Sequence, residues 1–253
     1  MQAPPTVKSV GMTDVGRRRQ TNQDWFQCDD ELGFWAVADG MGGHAAGEVA
    51  SREAIDTIYG MVKRDKERLR LGPRLTEETS PIAVRMVEGA VQAATYLVFG
   101  MAEFDAEKAG MGTTISALVS FGQHAVFAQV GDSRIYQVRD NAVSQLTEDH
   151  TLINWQLKQG MISPTEALTS RHKNVITRAV GSKEYVQVDT GVVELQPGDC
   201  YLLCSDGLHG YLQPDHIAAL AEREPSEAVQ NLIDFANEQG GKDNITAILL
   251  KVI

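Results

Sequence analysis

Short apolar runs typical of β-strands recur along this chain, and two long helical patterns stand next to each other among them. The strand-like runs cover residues 32–38, 112–121, 124–130, 134–138, 200–205 and 244–253. The helical patterns cover residues 48–64 and 81–104, and a third helix is expected over residues 226–239. Because no strand separates the two long helices, the chain lacks the strand–helix alternation of a parallel sheet. The pattern therefore predicts an α+β fold, with mainly antiparallel sheets covered by helices.

The length and composition fit one globular unit. The chain has 253 residues, 43% of them hydrophobic, without an internal repeat, a low-complexity segment or a linker long enough to separate two folded parts. We therefore predict a single domain over residues 1–253. The net charge of −11 argues against binding to nucleic acid or to an anionic membrane surface. It suits a site built from several carboxylates, and equally an ordinary acidic surface.

The cysteines and the N-terminus bear on the compartment. The three cysteines do not make a disulfide framework, and buried thiols are the simpler interpretation of Cys28, Cys200 and Cys204. The first residues lack a secretory pattern, and no uninterrupted apolar run approaches the roughly 18 residues of a membrane span. We therefore expect a soluble, reduced, cytoplasmic protein with no membrane association. The basic run between the long helices, residues 63–80, is expected to be a solvated connection, with a partner-docking loop as the alternative.

Four aspartates stand at the ends of apolar strands, each beside Gly or Asn: Asp39 in ADGMGG, Asp132 in VGDSR, Asp206 in SDGLHG and Asp243 in GKDNIT. Any one of them could simply form a turn. Four together mean more, because neighbouring strand ends bring distant residues close to each other. Carboxylates gathered in a buried cleft stay protonated unless a cation binds, and oxygen ligands suit Mg²⁺ or Mn²⁺ rather than zinc. Spacing alone leaves both interpretations open.

Two further segments bear on phosphate chemistry. TDVGRRRQTNQD, residues 13–24, carries three consecutive arginines. A fixed arginine beside a metal cluster can clamp a phosphoryl group, and a basic surface turn is the plainer alternative. The glycine-rich WAVADGMGGHAAGE, residues 35–48, lacks both the lysine of a Walker loop and the third glycine of a dinucleotide fingerprint. Both nucleotide-binding interpretations are therefore rejected.

In their order along the chain, these segments resemble the metal-dependent serine/threonine protein phosphatases of type 2C, in their compact bacterial form. The resemblance runs from about Val10 to Ile253 and is carried by TDVGRRRQTNQD, VADGMGGHAAGE, GTT, VGDSRIYQV, LTEDHT, NVITRAVG, LLCSDGLHG and KDNITAILL. It implies a four-layer sandwich, in which two antiparallel β-sheets are flanked by pairs of α-helices. It also implies a small flap subdomain over about residues 150–181.

The resemblance further implies a metal centre. Asp39 would bridge two Mn²⁺ or Mg²⁺ ions, Asp206 and Asp243 would complete the shell of the first ion, and the Gly40 carbonyl would help to hold the second. Asp132, together with Asp206, would bind a weaker third ion.

The arginine motif is assigned on the same resemblance. Arg19 lies five residues before Asp24, which is the family spacing for the phosphate-clamping arginine, so Arg17 and Arg18 are expected to be surface neighbours. Asp24 would orient a water molecule in the metal shell. Gln23 stands where the family often has Glu, which predicts somewhat weaker binding of the second ion.

The general acid is the main departure. Animal members carry a histidine two residues after the bridging aspartate, where this chain has Met41. Protonation of the leaving group would then come from water or from another residue, and His44 is expected to have a supporting or turn role.

The implied activity is hydrolysis of phosphoserine and phosphothreonine in proteins by a metal-activated water, without a phosphoenzyme and without the cysteines. The implied substrates are proteins phosphorylated by a bacterial serine/threonine kinase, including that kinase, and the enzyme is expected to be a monomer. The alternative is a degenerate phosphatase fold that binds a partner without turnover. Such a chain should have lost a metal aspartate or the arginine, and this one keeps them all. A plain metal-binding module would leave the arginine motif unexplained.

Overall fold

The computed structural model describes residues 5–43, 46–170, 172 and 175–253. The strands in these ranges are β1 Val7–Asp14, β2 Asp24–Asp29, β3 Phe34–Met41, β4 Gly112–Thr113, β5 Ile115–Phe121, β6 His124–Val130, β7 Arg134–Arg139, β8 Ala142–Gln145, β9 Asp189–Glu194, β10 Cys200–Cys204 and β11 Ile245–Val252. The α-helices are α1 Ala46–Leu69, α2 Ser80–Phe104, α3 Leu152–Lys158, α4 Pro164–Thr169, α5 Asp206–His209, α6 Pro214–Ala218 and α7 Pro225–Glu238.

The strands form two antiparallel sheets that pack face to face. One sheet has the order β1-β11-β10-β7-β8, and the other has the order β2-β3-β5-β6-β9, with β4 paired to β3. Strand alternation explains how β3 serves two cores. Trp35 and Val37 pack between the sheets with Tyr201 and Ile248. Their neighbours along the strand, such as Phe34, belong to the core under the long helices.

Helices cover the outer face of each sheet. The buried stripes of α1 and α2 pack on the β3–β5–β6 side of the molecule. On the other side, the buried residues of α7 form a second core with β10, β11 and the short helices α5 and α6. The predicted class is therefore confirmed: an α+β sandwich of two antiparallel sheets between helical layers. The second helical layer contains one long helix and short ones rather than two long helices.

The structure corrects the expected connection between the long helices. The basic run is not simply solvated, because α1 continues to Leu69 and Leu75 is buried. Lys66 lies within α1 and donates hydrogen bonds to the carbonyls of Leu32 and Ser120. A lysine can do this because its long apolar stem packs along the protein while its ammonium group finds acceptors.

The section between β8 and β9 contains the helices α3 and α4, and the described residues there form no extended strand. Isolated bridges join Thr151 to Ile176 and Thr113 to Val180. Local structure thus agrees with a strand-poor segment beside the strand ends. That this segment moves as a flap stays a prediction.

One helix in the described residues, α2, is long and apolar enough to cross a membrane by length and composition. Of its most apolar window, 44% is buried inside the molecule. The core helix of a soluble protein passes the same test, and the inner side of α2 belongs to the core under the second sheet.

Candidate metal centre

Five aspartates meet at one end of the sandwich. Asp39 lies near the end of β3, and Asp24 begins β2 directly opposite it in the antiparallel register. Asp132 follows β6, Asp206 follows β10, and Asp243 precedes β11. Because neighbouring strands run in opposite directions, strand ends and strand starts share this edge. The tertiary fold therefore brings together the four aspartates singled out at strand ends and Asp24, to which the family resemblance gave a role beside the metals.

The backbone around Asp39 is fixed by two threonines of the GTT segment. The Asp39 N–H donates to Thr114 Oγ1 at 2.9 Å. The Asp39 carbonyl accepts from Thr114 N and from Thr113 Oγ1, each at 2.9 Å. Thr114 Oγ1 also lies 2.8 Å from Ser133 Oγ, next to Asp132. These two threonines were not predicted as site residues, although their segment was recognised as a motif.

Among the residues that the structure describes, two buried carboxylate oxygens have no hydrogen-bond partner. Asp24 is 2% exposed; its Oδ2 accepts from Ser205 Oγ at 2.8 Å and from Thr246 Oγ1 at 2.6 Å. Its Oδ1 is buried and unpaired, and so is Oδ1 of Asp206. An unpaired buried acceptor costs free energy, so each of these atoms calls for a positively charged or donating group from outside the chain.

The pKa values of these carboxyls also indicate that the cluster lacks positive charge. Burial raises the pKa of Asp39 well above its usual range, and the charges of Asp24, Asp206, Asp132 and Asp243 raise it further. Burial raises the pKa of Asp24 to about 7, although its hydrogen bonds from Thr246 and Ser205 lower it.

The pKa values of Asp132 and Asp206 are shifted in the same direction. Burial and the Asp206 and Asp149 charges raise the pKa of Asp132 to about 7. Burial and the Asp243 charge raise the pKa of Asp206. Such mutual repulsion is what a divalent cation relieves.

The carboxylates approach one another without closing into a finished ligand shell. Among the residues that the structure describes, no three carboxylate, imidazole or thiol groups are placed as tightly as the ligands of a bound ion. The donor set is nevertheless all oxygen, which fits Mg²⁺ or Mn²⁺ and not zinc.

Arg19 reaches this cluster. Its Nη2 donates to Asp243 Oδ2 at 2.7 Å, and its side chain is 49% exposed. Arg17 and Arg18 are exposed, in agreement with a role as surface neighbours.

Sequence reasoning missed what holds the arginine loop in place. Asn244 is buried, and its Nδ2 donates to the carbonyls of Val15 and Thr21 at 3.0 Å. Its Oδ1 accepts from Gln23 N at 2.8 Å. Asn244 thus fastens the loop that carries Arg19 to the start of β11. Its position next to Asp243 in KDNIT was the only sequence signal.

Glycine is required at two positions, because another segment of backbone passes too close to leave room for a side chain. A Cβ atom on Gly40 would lie 2.0 Å from the Gly47 carbonyl oxygen and 2.5 Å from that of Gln23. A Cβ atom on Gly207 would lie 2.0 Å from the Asn244 carbonyl oxygen. Both positions therefore exclude any side chain, and Gly40 N donates to Gln23 O at 3.0 Å.

A cleft of about 670 Å³ opens from the carboxylates toward α3 and α4. Asp132, Asp206 and Asp243 line its inner end, and Ile153 and Leu168 line its outer end. It is large enough for a phosphorylated side chain and its neighbours. His44 lies outside the described residues.

His209 also lines the cleft, but its environment makes it a poor proton donor. Its Nε2 lies 2.9 Å from the Asp132 carbonyl oxygen and donates to it. Burial lowers the pKa of this imidazole to about 4, so the ring is neutral near pH 7.

Comparison with known proteins agrees with this architecture. A family model described as protein phosphatase 2C matches residues 15–250. A serine/threonine phosphatase of Listeria welshimeri is 37% identical over 244 residues, which cover 94% of this chain and 93% of the relative. The Mycobacterium tuberculosis serine/threonine phosphatase PstP superposes with a TM-score of 0.85 at 31% identity, covering 97% of this chain and 98% of the other.

A second structure, of the PstP catalytic domain in complex with two manganese ions, has a TM-score of 0.83 at 31% identity, covering 98% of this chain and 99% of that one. The fold and the carboxylate-rich strand ends define a metal-dependent phosphatase. The chain belongs to the protein phosphatase 2C family of metal-dependent serine/threonine protein phosphatases.

Proposed function

We propose that the cleft hydrolyses phosphoserine and phosphothreonine in proteins, with Mn²⁺ or Mg²⁺ held at the strand ends. Asp39, the Gly40 carbonyl, Asp206 and Asp243 would hold two ions, and Asp132 with Asp206 would hold a weaker third. The observation that carries the proposal is the unpaired, buried Oδ1 of Asp206 beside an Asp39 carboxyl surrounded by four others. Among the described residues, the ion pair of Arg19 with Asp243 is the only one made to these five acids, which leaves most of their negative charge unbalanced.

When bound, such ions lower the pKa of a water molecule and offset charge on the phosphoryl oxygens. The chain's own residues then have separate tasks. Arg19 donates to Asp243 through one nitrogen, and among the described residues its other N–H groups have no protein partner. They are free to donate to the equatorial oxygens of a phosphoryl group in the transition state.

In this scheme, Asp24 orients a water molecule and does not bind the substrate. Its Oδ2 is fixed by Ser205 and Thr246, which leaves the buried Oδ1 to accept a hydrogen bond from a water molecule beside it.

No described histidine is placed to protonate the leaving alkoxide. His209 is neutral and engaged with the Asp132 backbone, and Met41 cannot supply a proton. We therefore assign this proton to water in the cleft.

The physiological substrates that we propose are proteins phosphorylated by a serine/threonine kinase, including that kinase, in the cytoplasm. The acidic surface, with its net charge of −11, favours substrates with neutral or basic residues around the phosphoresidue. All proposed site residues come from one chain, so catalysis needs no second copy.

The test is hydrolysis of a phosphothreonine peptide and of p-nitrophenyl phosphate, with Mn²⁺ or with EDTA. We expect phosphate release that depends on the metal and falls sharply in Asp39→Asn and Arg19→Ala. Arg18→Ala is the matched control, since Arg18 is an exposed neighbour, and it should keep its rate. Equal rates in EDTA and Mn²⁺ would reject the metal centre. Metal binding without turnover in the parent chain would favour the degenerate binding protein.

A further inference from the structure

The turn that carries Asp132 lies between β6 and β7, beyond the hydrogen-bonded pairs of the sheet. Residues 131–133 are buried, so their backbone groups need partners from elsewhere in the fold. One partner is His209, whose Nε2 donates to the Asp132 carbonyl. A second histidine, His150, holds the residue directly before Asp132.

His150 contacts both polar groups of the Gly131 backbone. Gly131 N donates to His150 Nδ1 at 3.1 Å, and His150 N donates to the Gly131 carbonyl at 2.9 Å. Gln129 Nε2 also donates to the Gly131 carbonyl, at 3.0 Å. The contact that depends on the imidazole is therefore the one made by the Gly131 N–H.

Only one form of the His150 ring fits its contacts. Because Gly131 N is a donor, Nδ1 must present a lone pair, so the proton is on Nε2. Nε2 lies 3.0 Å from Asp189 Oδ2 and donates to it, while Arg178 Nη1 donates to Asp189 Oδ1 at 2.7 Å. Burial lowers the pKa of this imidazole, although its hydrogen bond with Asp189 raises it. The ring is thus neutral and donates in one direction only.

His150 also lies at the base of the segment between β8 and β9. Its carbonyl accepts from Thr177 N at 2.8 Å, and the next residue, Thr151, bridges Ile176. Asp189, which accepts from Nε2, is the first residue of β9. The two ends of the segment therefore meet at His150, and its imidazole joins them to the Asp132 turn.

The chain offers a second histidine with the same kind of bond. His124 begins β6, and its Nδ1 accepts from Leu75 N at 3.3 Å. Its place is the end of β6 away from Asp132. His150 makes this bond to the backbone directly before a proposed metal ligand. The two residues therefore separate an effect on the metal site from an effect on stability alone.

We propose that His150 is a positioning residue for Asp132: its imidazole fixes the turn at Gly131 and joins it to the base of the β8–β9 segment, which sets the carboxylate in place for the weaker metal ion. The inference rests on the proposed function, because Asp132 is a metal ligand only in that scheme. Thr151 lines the cleft and His150 does not, so His150 acts through Gly131 and not on the substrate.

Two substitutions separate the two ring nitrogens. In His150→Asn, the side-chain oxygen takes the place of Nδ1 and accepts from Gly131 N. In His150→Gln, the longer amide reaches the place of Nε2 and leaves Gly131 N without its acceptor. His124→Gln removes the same kind of acceptor at the other end of β6 and is the matched control.

The first measurement is Mn²⁺ binding to the full chain, followed by the EPR signal of the free ion. We expect two tighter ions and a weaker third, which Asp132→Asn should remove. His150→Gln should weaken the third ion by about tenfold, the size typical of losing a contact behind a metal ligand, and leave the other two unchanged. His150→Asn should recover most of this loss, and His124→Gln should match the parent.

The second measurement needs no metal. In EDTA, the Gly131 amide should exchange its hydrogen roughly five- to tenfold faster in His150→Gln than in the parent or in His150→Asn, since one hydrogen bond that opposes local opening is lost. Denaturant unfolding of each variant identifies a general loss of stability, which would speed exchange throughout the core. In the parent, ¹⁵N NMR should show the His150 proton on Nε2, a result that no variant has to fold to give.

Several outcomes would overturn the inference. A folded His150→Gln that keeps its third ion, while Asp132→Asn loses it, would reject the role of His150 and leave the proposed function standing. Equal losses in His150→Gln and His150→Asn, or in His124→Gln, would reduce the effect to stability. A His150 proton on Nδ1 would contradict the geometry. A parent chain that binds no third ion would overturn the inference together with the proposed third site.

Discussion

Strand β10 has an aspartate just outside each end, and the two carboxylates have opposite surroundings. Asp199, before the strand, has a side chain only 1% exposed and accepts from Arg139 Nε at 2.7 Å and Nη2 at 2.6 Å. Gln196 N at 2.9 Å and Tyr201 Oη at 3.0 Å complete its hydrogen bonds. Asp206, after the strand, keeps one buried oxygen that has no hydrogen-bond partner in the described part of the chain. The fold neutralises the first carboxylate itself and leaves the second for a group from outside.

The comparison gives a rule for reading buried acids in this chain. A carboxylate whose charge is balanced inside the protein contributes to stability. One surrounded by other carboxylates lowers stability until a cation binds. Substitutions at the two ends of β10 should therefore have opposite consequences.

The largest effect is expected from Asp206→Asn. Loss of this charge should reduce the Mn²⁺-dependent turnover of a phosphothreonine peptide by about 10²–10³-fold or more, the size seen when a preorganised electrostatic contact is removed. The metal-free variant should be at least as stable as the parent, because repulsion with Asp243 is gone. Chemical denaturation in EDTA measures that second quantity. A clear loss of stability in EDTA would place Asp206 in the same class as Asp199.

Asp199→Ala should lower stability and leave turnover nearly unchanged. It leaves Arg139 and the Tyr201 hydroxyl without their acceptor and should lower the free energy of unfolding by about 2–4 kcal/mol, toward the lower end because Arg139 is partly exposed. Turnover per folded molecule should stay within about twofold of the parent, since Asp199 lies at the far end of β10. A large drop in turnover with unchanged stability would contradict the comparison.

The pH dependence of stability in the metal-free protein tests the same comparison. The pKa values of Asp24 and Asp132 are raised to about 7 in the fold, above the usual aspartate value of 3.8. A carboxyl with a raised pKa binds more protons in the folded state, so its stabilising contribution is complete below pH 4 and is lost as the pH rises through 7.

In EDTA, the unfolding midpoint should therefore fall by a few °C between pH 5 and pH 7.5, since about 1 kcal/mol shifts it by roughly 2–4 °C in a chain of this size. Mn²⁺ should remove the trend, and Asp132→Asn should reduce it. An unchanged slope in Asp132→Asn would show that the shift arises elsewhere.

The smallest effect is expected at the cysteines. Burial raises the pKa of Cys28 to about 12, of Cys200 to about 11 and of Cys204 to about 12. The thiols are therefore protonated near pH 7 and poorly nucleophilic. Iodoacetamide should leave turnover essentially unchanged, as an assay before and after treatment would show. Inactivation with a single alkylated cysteine would give the thiols a role that the mechanism lacks.

The sequence predicted the elements with strong patterns and missed those without them. The two long helices and strands β3, β6, β7, β10 and β11 follow from continuous apolar runs or helical periodicity. Strands β1, β2, β8 and β9 did not stand out, because their residues are mostly half-buried or exposed. A strand at or near a sheet edge takes its structure from its neighbour, which local pattern does not record.

The residues of the candidate site also divide into those that the sequence predicted and those that it missed. The aspartates were found because each follows or precedes an apolar run with a turn residue beside it. Asn244, Thr113 and Thr114 have ordinary residue types, and their importance comes from which backbone groups the fold sets before them. Met41 is informative only through the family resemblance, because it occupies the position at which animal members carry the histidine assigned as general acid.

The sequence by itself determined the residue types: an all-oxygen set of acids at strand ends, an arginine with the right spacing, and apolar runs that must be buried. Only the tertiary structure decided which charges are balanced. Asp199 and Asp206 flank the same strand and look alike as sequence, but one meets Arg139 and the other meets more carboxylates. Electrostatic free energy depends on distance and burial, and both are set when strands far apart in sequence come together.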